Sequence, residues 1–537
     1  ATGSIVEVGD NIATWNVCGF SPAILAPNAP QNLEELQAAD PKEVAQLSKF
    51  DGRNYGIITP VRDQGSSNLC WAYASVNASE ASILREGIDP SATLDTLRFS
   101  PTHLGYIRFN RGPDLLGNTA GEEDPTADWL QASGSPGYSS TLFSQWWGPV
   151  QDGTPMVNTP SVIEEHSGYR MEHAIELDGQ RLSSNPAART RMKEAIAQYG
   201  AVTFSYNWIH EVPYDNPSRG GFGNPHACTI IGWDDTIPAS LFSGGASQDG
   251  GWLVKNSYSS LPYFYLSYDN NSSYVFAFDY ATKEEYDFNY FYDSSVDDFG
   301  MAASLNYTCA ANVFQGLKGS DSQTEYVKAV QVGFYGSGAT CDVKVYTNLQ
   351  DQQDMSDLAN VDPTLGTLAA SGSATFDRPG YHTVPLEQLA EVAPGSYFSI
   401  VVQVSGSSPY LRVIRAADCK SYVLSKYGAW QKSGLNVPRL KAYTVLENTS
   451  TGLTPEETPH ASIDDTPEAL TGLMPEATYL VNSAALTADG NGSLALQSEW
   501  FGSTVSIVKQ GDGTVTGNSV AQALKIPNRP AAPAGVE

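Results

Sequence analysis

Apolar residues recur along this chain at changing periods, and the changes divide it. In the opening stretch, rich in Pro, Ala and Asn, Asn32-Leu-Glu-Glu-Leu-Gln37 and Pro41-Lys-Glu-Val-Ala-Gln46 have the spacing of two short helices. Residues 1–46 read as an arm or pro-segment. A longer helix is predicted from Cys70 to Arg85, where Ala72, Ala74, Ala78 and Ala81 would let neighbouring backbone approach closely. Asn185-Pro186 supplies a cap and a first-turn proline, Met192, Ile196 and Tyr199 form an apolar stripe, and Gly200 is the stop. Beyond Gly200 the period drops to that of strands, at 201–206, 227–233, 251–256 and 263–268. Helices followed by strands predict an α+β domain of two segregated halves over residues 47–285. Alternating runs such as 329–335, 341–346 and 397–404 then predict an all-β sandwich over 286–447. An acidic Pro/Thr linker is expected at 448–467 and a small β module at 468–529, with hairpin signals at Asp489-Gly-Asn-Gly492 and Asp512-Gly513. Residues 530–537 read as the end of a further linker.

Composition narrows the classes of function. A chain of 537 residues is too long for a single core. With 59 acidic against 30 basic residues and a formal charge of −29, electrostatic binding to nucleic acid or an anionic membrane is disfavoured. No apolar run is long enough to span a bilayer, and Ala1-Thr-Gly-Ser-Ile5 is not the start of a signal peptide. Abundant Tyr and Gly with only 17% charged residues point to exported, extracellular or cell-surface material. Six cysteines without a C-x-x-C pair do not make a disulfide scaffold, although one bridge among Cys309, Cys341 and Cys419 fits an exported protein. Asp234-Asp235 and Asp297-Asp298 read as solvated turn residues because no full calcium loop surrounds them. No metal or cofactor is expected.

Chemistry concentrates in Thr59-Pro-Val-Arg-Asp-Gln-Gly-Ser-Ser-Asn-Leu-Cys-Trp-Ala-Tyr-Ala-Ser75. Cys70 sits where a loop enters the predicted helix, a place where a helix N-terminus favours a thiolate. Gln64, six residues upstream, can aim an amide N–H at the same point. A thiol nucleophile needs a base and a group to orient it. His226 enters a predicted strand among small and apolar neighbours, and Asn256 ends another strand, where its amide oxygen can accept from the imidazole. Asn68 and Leu69, next to the thiol, would face substrate. Gly117-Asn118 offers backbone that could pair with an extended peptide.

Gln64-Gly65, Cys70-Trp71-Ala-Tyr-Ala-Ser75, Asn224-Pro-His226-Ala and Trp252-Leu-Val-Lys-Asn256-Ser resemble, in the same order, the motifs of papain-like cysteine peptidases. Phe50-Asp-Gly-Arg-Asn-Tyr55, Ser144-Gln-Trp-Trp-Gly-Pro-Val150 and Phe264-Tyr-Leu-Ser-Tyr268 resemble the bacterial branch of that family, in which a lectin-like β domain follows the peptidase. Over 286–447, Lys344-Val-Tyr-Thr-Asn348 and Pro379-Gly-Tyr-His-Thr-Val384 resemble that companion.

The resemblance implies a two-lobed α+β papain-like domain followed by a lectin-like sandwich and a small β module. It makes Cys70 the nucleophile, in an ion pair with His226 as base and then acid. Asn256 becomes the orienter, while Gln64 and the Cys70 N–H form the oxyanion hole. Asn68-Leu69 departs from the usual Gly-Ser or Gly-Thr, and Tyr258 stands where the family has Trp. The implied partners are protein or peptide substrates, with glycans or host surface proteins as further partners of 286–447. Two other readings use the same residues: an adhesion protein with a vestigial peptidase unit, and a transferase passing the thioester's acyl group to an amine.

Overall fold

The computed structural model describes residues 29–527 except for short internal segments, of which 117–127, 217–223 and 294–306 are the longest. The chain divides into two units, Ala1–Glu447 and Asn448–Glu537.

In the first unit, helices α1 (Leu33–Ala38) and α2 (Pro41–Val44) begin on side-chain caps, Asn32 accepting from the Glu35 N–H and Asp40 from that of Lys42. Both helices bury an apolar residue. Leu36 and Val44 lie in the same core as Phe50, Trp71 and Trp233, and the Arg85 guanidinium donates to the Leu36 carbonyl. Over 29–46, then, the expected arm is part of the domain core, because even two short amphipathic helices gain more by burying Leu36 and Val44 than by leaving them in water. Residues 1–28 lie outside the described residues.

The chain continues through β1 (Lys49–Asp51), α3 (Cys70–Glu86), α4 (Pro101–Phe109), α5 (Pro136–Ser144), β2 (Tyr169–Leu177) and α6 (Pro186–Tyr199). Strands β3 (Val202–Trp208), β4 (Tyr214–Asp215), β5 (Asn224–Asp234), β6 (Gly251–Lys255), β7 (Tyr263–Ser267) and β8 (Ser273–Thr282) complete the peptidase-like part. Helix α3 has no solvated face, since every residue from Trp71 to Arg85 is buried. Its alanines let β5, β8 and α6 close around it. The expected cap, stripe and stop of α6 are all present: Asn185 accepts from the Ala188 N–H, Met192 and Ile196 are buried, and Gly200 ends the helix.

Helices α4 and α5 and strands β2 and β8 were not legible as elements. The sequence of α5, Pro-Gly-Tyr-Ser-Ser-Thr-Leu-Phe-Ser, is rich in residues of weak helix propensity. Burial of Ser139, Thr141, Leu142 and Phe143 holds it instead.

After Thr282 come β9 (Phe288–Tyr290), β10 (Cys309–Gln315), β11 (Gln323–Tyr335), β12 (Ala339–Thr347), β13 (Thr367–Phe376), β14 (Gly380–Val392) and β15 (Tyr397–Ser405), with shorter strands to Asn448. In β12, Cys341, Val343 and Val345 point into the core while Asp342 and Lys344 are exposed, the alternation expected of a sandwich. A six-stranded sheet runs β13-β12-β15-β10 and on to Ser421–Leu424 and Trp430–Lys432.

The opposing strands are not a separate sheet. One sheet runs β4-β7-β6-β5-β3-β8-β2-β14-β11, then Leu440–Asn448 and β9. Across the boundary expected at 285/286 the two parts share one hydrogen-bonded sheet, and their apolar cores interleave, Tyr381 lying in the first and Leu115 and Leu116 packing against the second. Strand β2 pairs antiparallel with β14 through Ile175–Gly380, Ala174–Tyr381 and His173–His382. A Cβ at Gly380 would lie 1.9 Å from the Ala174 carbonyl oxygen, and its φ of +140° also disfavours a side chain. Cys70, Cys228, Cys309, Cys341 and Cys419 are in no disulfide among the described residues, so the expected bridge in the β domain is absent there. Burial in apolar surroundings is role enough for Cys341 and Cys419.

In the second unit a four-stranded antiparallel sheet runs Ala484–Thr487, Thr478–Val481, Thr504–Lys509, Gln522–Lys525. Tyr479, Val481, Trp500, Val505 and Ile507 lie in its core. The expected linker is partly woven into this module: Ser462–Ile463 pairs with Leu470–Thr471, and Ala461 is buried. Asp489–Gly492 does form a tight turn, with the Asp489 carboxylate accepting from Asn491 and Ser493. Its flanking strands nevertheless pair with different neighbours, so it is a crossing between sheets and not a hairpin. Asp512-Gly513 lies outside the described residues.

Candidate active site

Cys70 is the first residue of α3 and lies at the floor of a cleft of about 430 Å³. One wall carries Asn68, Ser133 and Gly134; the other carries Trp208, His226 and Tyr258. The strands explain the second wall. In the β3–β5 ladder Tyr206 is opposite His226 and Trp208 is opposite Asn224, so the end of β3 lies beside His226.

His226 is buried, and its Nε2 lies 2.9 Å from Asn256 Oδ1. The Asn256 carboxamide is oriented independently of the ring. Its Nδ2 donates to the Leu261 carbonyl at 3.0 Å, and its Oδ1 accepts from the Ser257 N–H at 2.9 Å and from the Cys228 thiol at 3.4 Å. An oxygen fixed on that side can only accept, so Nε2 carries the proton and Nδ1 is left as a base.

Asn256 is in turn held by its chain neighbour. Lys255, fully buried, donates to Thr59 Oγ1 at 3.0 Å and Asn77 Oδ1 at 2.9 Å. Glu80 accepts from Thr59 Oγ1, from Arg62 at 2.8 Å and from the Phe99 N–H at 2.7 Å. Burial pushes the Lys255 ammonium down to about 7, against the charge of Glu80. The network joins β6, which ends beside Asn256, to α3, which begins with the thiol.

Gln64 is buried at the cleft. Its Nε2 donates to the Ser67 carbonyl at 2.6 Å, and its Oε1 accepts from Ser257 Oγ at 2.5 Å. The carboxamide is pinned, and an amide nitrogen has two hydrogens, of which Ser67 takes one.

Burial pushes the Cys70 thiol up from its ordinary value, and the backbone N–H groups of Ala227, Trp71 and Cys70 offset only part of that. Burial likewise pushes His226 down, partly opposed by the bond to Asn256. Both shifts favour the neutral thiol and imidazole, against the ion pair that the resemblance implied. The cleft withholds the solvation that separate charges need.

The expected substrate-facing residues divide. Asn68 lines the cleft, with its backbone N–H donating to the Leu130 carbonyl and its side chain to that of Gln131, both at 2.7 Å. Leu69 does not face it. Its side chain is fully buried and fills the space beside Gly105 of α4, a better place for an isobutyl group than a wet cleft. Gly117 and Asn118 lie outside the described residues.

Two features of the cleft were missed. Ser133-Gly134 is brought to the wall by Arg108, which donates to the Ser133 carbonyl and lies over the Tyr138 ring at 3.9 Å. Gly134 must lack a side chain, since a Cβ there would meet the Trp71 indole at 2.5 Å. The other is Trp208, whose ring centre is 5.1 Å from that of His226 and 5.9 Å from that of Tyr258. Tyr258 itself stacks on His226 at 5.6 Å. A tryptophan closing an alternating strand gives no signal of that neighbour until the strands are paired.

This fold, with a thiol heading the central helix and a His–Asn pair on the facing strands, is that of a papain-like cysteine peptidase joined to a lectin-like domain. Residues 291–444 match the lectin-like domain family. Digestive cysteine proteinase 2 of Homarus americanus is 22% identical over 241 residues, 44% of this chain and 66% of the relative. Cathepsin L1 of Drosophila melanogaster is 22% identical over 43% of this chain and 55% of the relative. The chain thus spans less than two thirds of these curated relatives. Among solved structures, clostridial cysteine protease Cwp84 after propeptide cleavage superposes with a TM-score of 0.55 at 20% identity, covering 74% of this chain and 98% of that one. The cysteine protease and lectin-like domains of Cwp84, a surface layer associated protein of Clostridium difficile, give 0.55 at 19% identity, covering 74% and 88%.

Proposed function

We propose that this chain is an exported cysteine endopeptidase that hydrolyses peptide bonds through a Cys70 thioester, with its β domains directing it to a surface or to substrate. The observation that carries the reading is the fixed Asn256 carboxamide, which sets His226 in the tautomer a general base requires.

In this mechanism His226 Nδ1 takes the thiol proton as sulfur attacks the carbonyl carbon. The oxyanion is met by the Cys70 N–H and the second Gln64 N–H. Collapse breaks the C–N bond, and the leaving amine takes its proton from His226. Water, deprotonated by the same nitrogen, then hydrolyses the thioester and frees the thiol. The aromatic faces of Trp208 and Tyr258 favour the transient imidazolium. Export and surface attachment rest on the acidic, Tyr- and Gly-rich composition and on the likeness to a surface-layer protease. No described helix is long and apolar enough to cross a membrane.

A thiol-directed epoxide should label Cys70 stoichiometrically, and peptide cleavage should vanish in both Cys70→Ala and His226→Ala. Folded protein that cleaves no member of a broad peptide library, with Cys70 labelling no faster than free cysteine, would overturn the assignment.

A further inference from the structure

The cleft has two chemically different walls. Asn68, Ser133 and Gly134 offer small and polar surface, whereas Trp208 and Tyr258 stand half-buried around His226 with their rings 20° from parallel. No Lys, Arg, Asp or Glu lines this cleft among the described residues. The direction in which substrate crosses it follows from the reaction. The acyl carbon must sit on Cys70 and its oxygen at Gln64. The departing nitrogen must lie against His226, because that ring supplies its proton. The residue beginning with that nitrogen is therefore carried onto the aromatic wall.

We propose that Trp208 is a specificity-determining residue for the leaving-group side of the scissile bond, selecting an aromatic or large apolar side chain immediately after the cleaved peptide bond. Trp208 extends the apolar surface that Tyr258 begins and holds it open on the rigid end of β3, paired with β5. A flat ring laid on that wall loses water from both faces at little conformational cost. A carboxylate or ammonium there would lose hydration without a partner. The inference rests on the peptidase reading above and adds to it which side of the bond is selected, and by what.

The test uses the full chain and internally quenched peptides that differ only in the residue after the scissile bond. Kcat/KM for Phe should exceed that for Gly by about 10-fold or more, and Asp should fall below Gly. In Trp208→Ala the Phe/Gly ratio should collapse to within about 3-fold of unity, while Trp208→Phe should keep most of it. The ratio is indifferent to any loss common to all peptides, including one caused by disturbing His226. Cleavage by the unaltered protein with no Phe/Gly preference overturns this inference alone, as does a ratio that survives Trp208→Ala. Failure to cleave any peptide overturns the peptidase reading and this one with it.

Discussion

At the residue scale the site turns on how each polar atom is used. Asn256 Oδ1 receives three donors and Nδ2 gives one hydrogen bond, so the carboxamide cannot flip without stranding buried partners. That bond raises the affinity of His226 for a proton, while burial lowers it more. The sign for catalysis follows. His226 accepts the thiol proton only when neutral, so activity is present above its pKa and lost as the pH falls through it. The acid limb of kcat/KM should therefore lie below pH 6.5, the ordinary imidazole value being about 6.5. In Asn256→Ala the raising partner is gone, so the limb should move further down in pH as the plateau falls about 100-fold. A pH–rate profile of both proteins checks this, and an upward shift in the variant would contradict the assigned direction. Cys70, His226, Asn256 and Gln64 of the proposed site stand out in the sequence because their motifs are local. Leu69 was misread because nothing in the sequence says which way a loop residue turns.

At the element scale, α3 and β6 are held in register by buried charge. Glu80 lies ten residues along α3 from the thiol, and Lys255 immediately precedes the orienting Asn256. Both bond Thr59, and Arg62 links Glu80 to Asn77, which Lys255 also reaches, so little slack is left between Cys70 and His226. Removing one charge from such a set strands the others in a low-dielectric interior. Glu80→Gln should cost about 3–5 kcal/mol in urea denaturation, with a loss of kcat larger than the change in KM. A loss of under about 1 kcal/mol would mean the cluster is not a single unit. The periodic helices α3 and α6 and the alternating strands β5, β6 and β12 could be read beforehand. Helix α5 could not, since its serines and threonines become helical through burial, which local propensity does not contain.

For the first unit as a whole, the shared sheet is the main finding. Across the β2–β14 junction the Arg412 guanidinium reaches the Glu176 carboxylate at 2.5 Å, and Thr383 donates to the Glu172 carbonyl at 2.9 Å. The peptidase part therefore owes its β2 edge to the lectin-like part, and the two should unfold together. Gly380→Ala, which drives a methyl group into the Ala174 backbone, should lower stability by about 2 kcal/mol or more. It should also make the first unit more sensitive to protease. Limited proteolysis with a thermal melt checks this, and an unchanged melt would show that the junction yields without cost.

Hydrophobic periodicity and short motifs are local quantities. By themselves they determined the fold class and pointed to Cys70, His226, Asn256 and Gln64, which the structure gathers at one cleft. Tertiary structure decided what depends on residues far apart in sequence. It buried Leu36 and Val44, left the cysteines of the β domain unbridged, turned Leu69 inward, set Trp208 beside His226 and ran one sheet through two cores. Each of these rests on strand pairing or desolvation, which exist only once the chain has closed on itself.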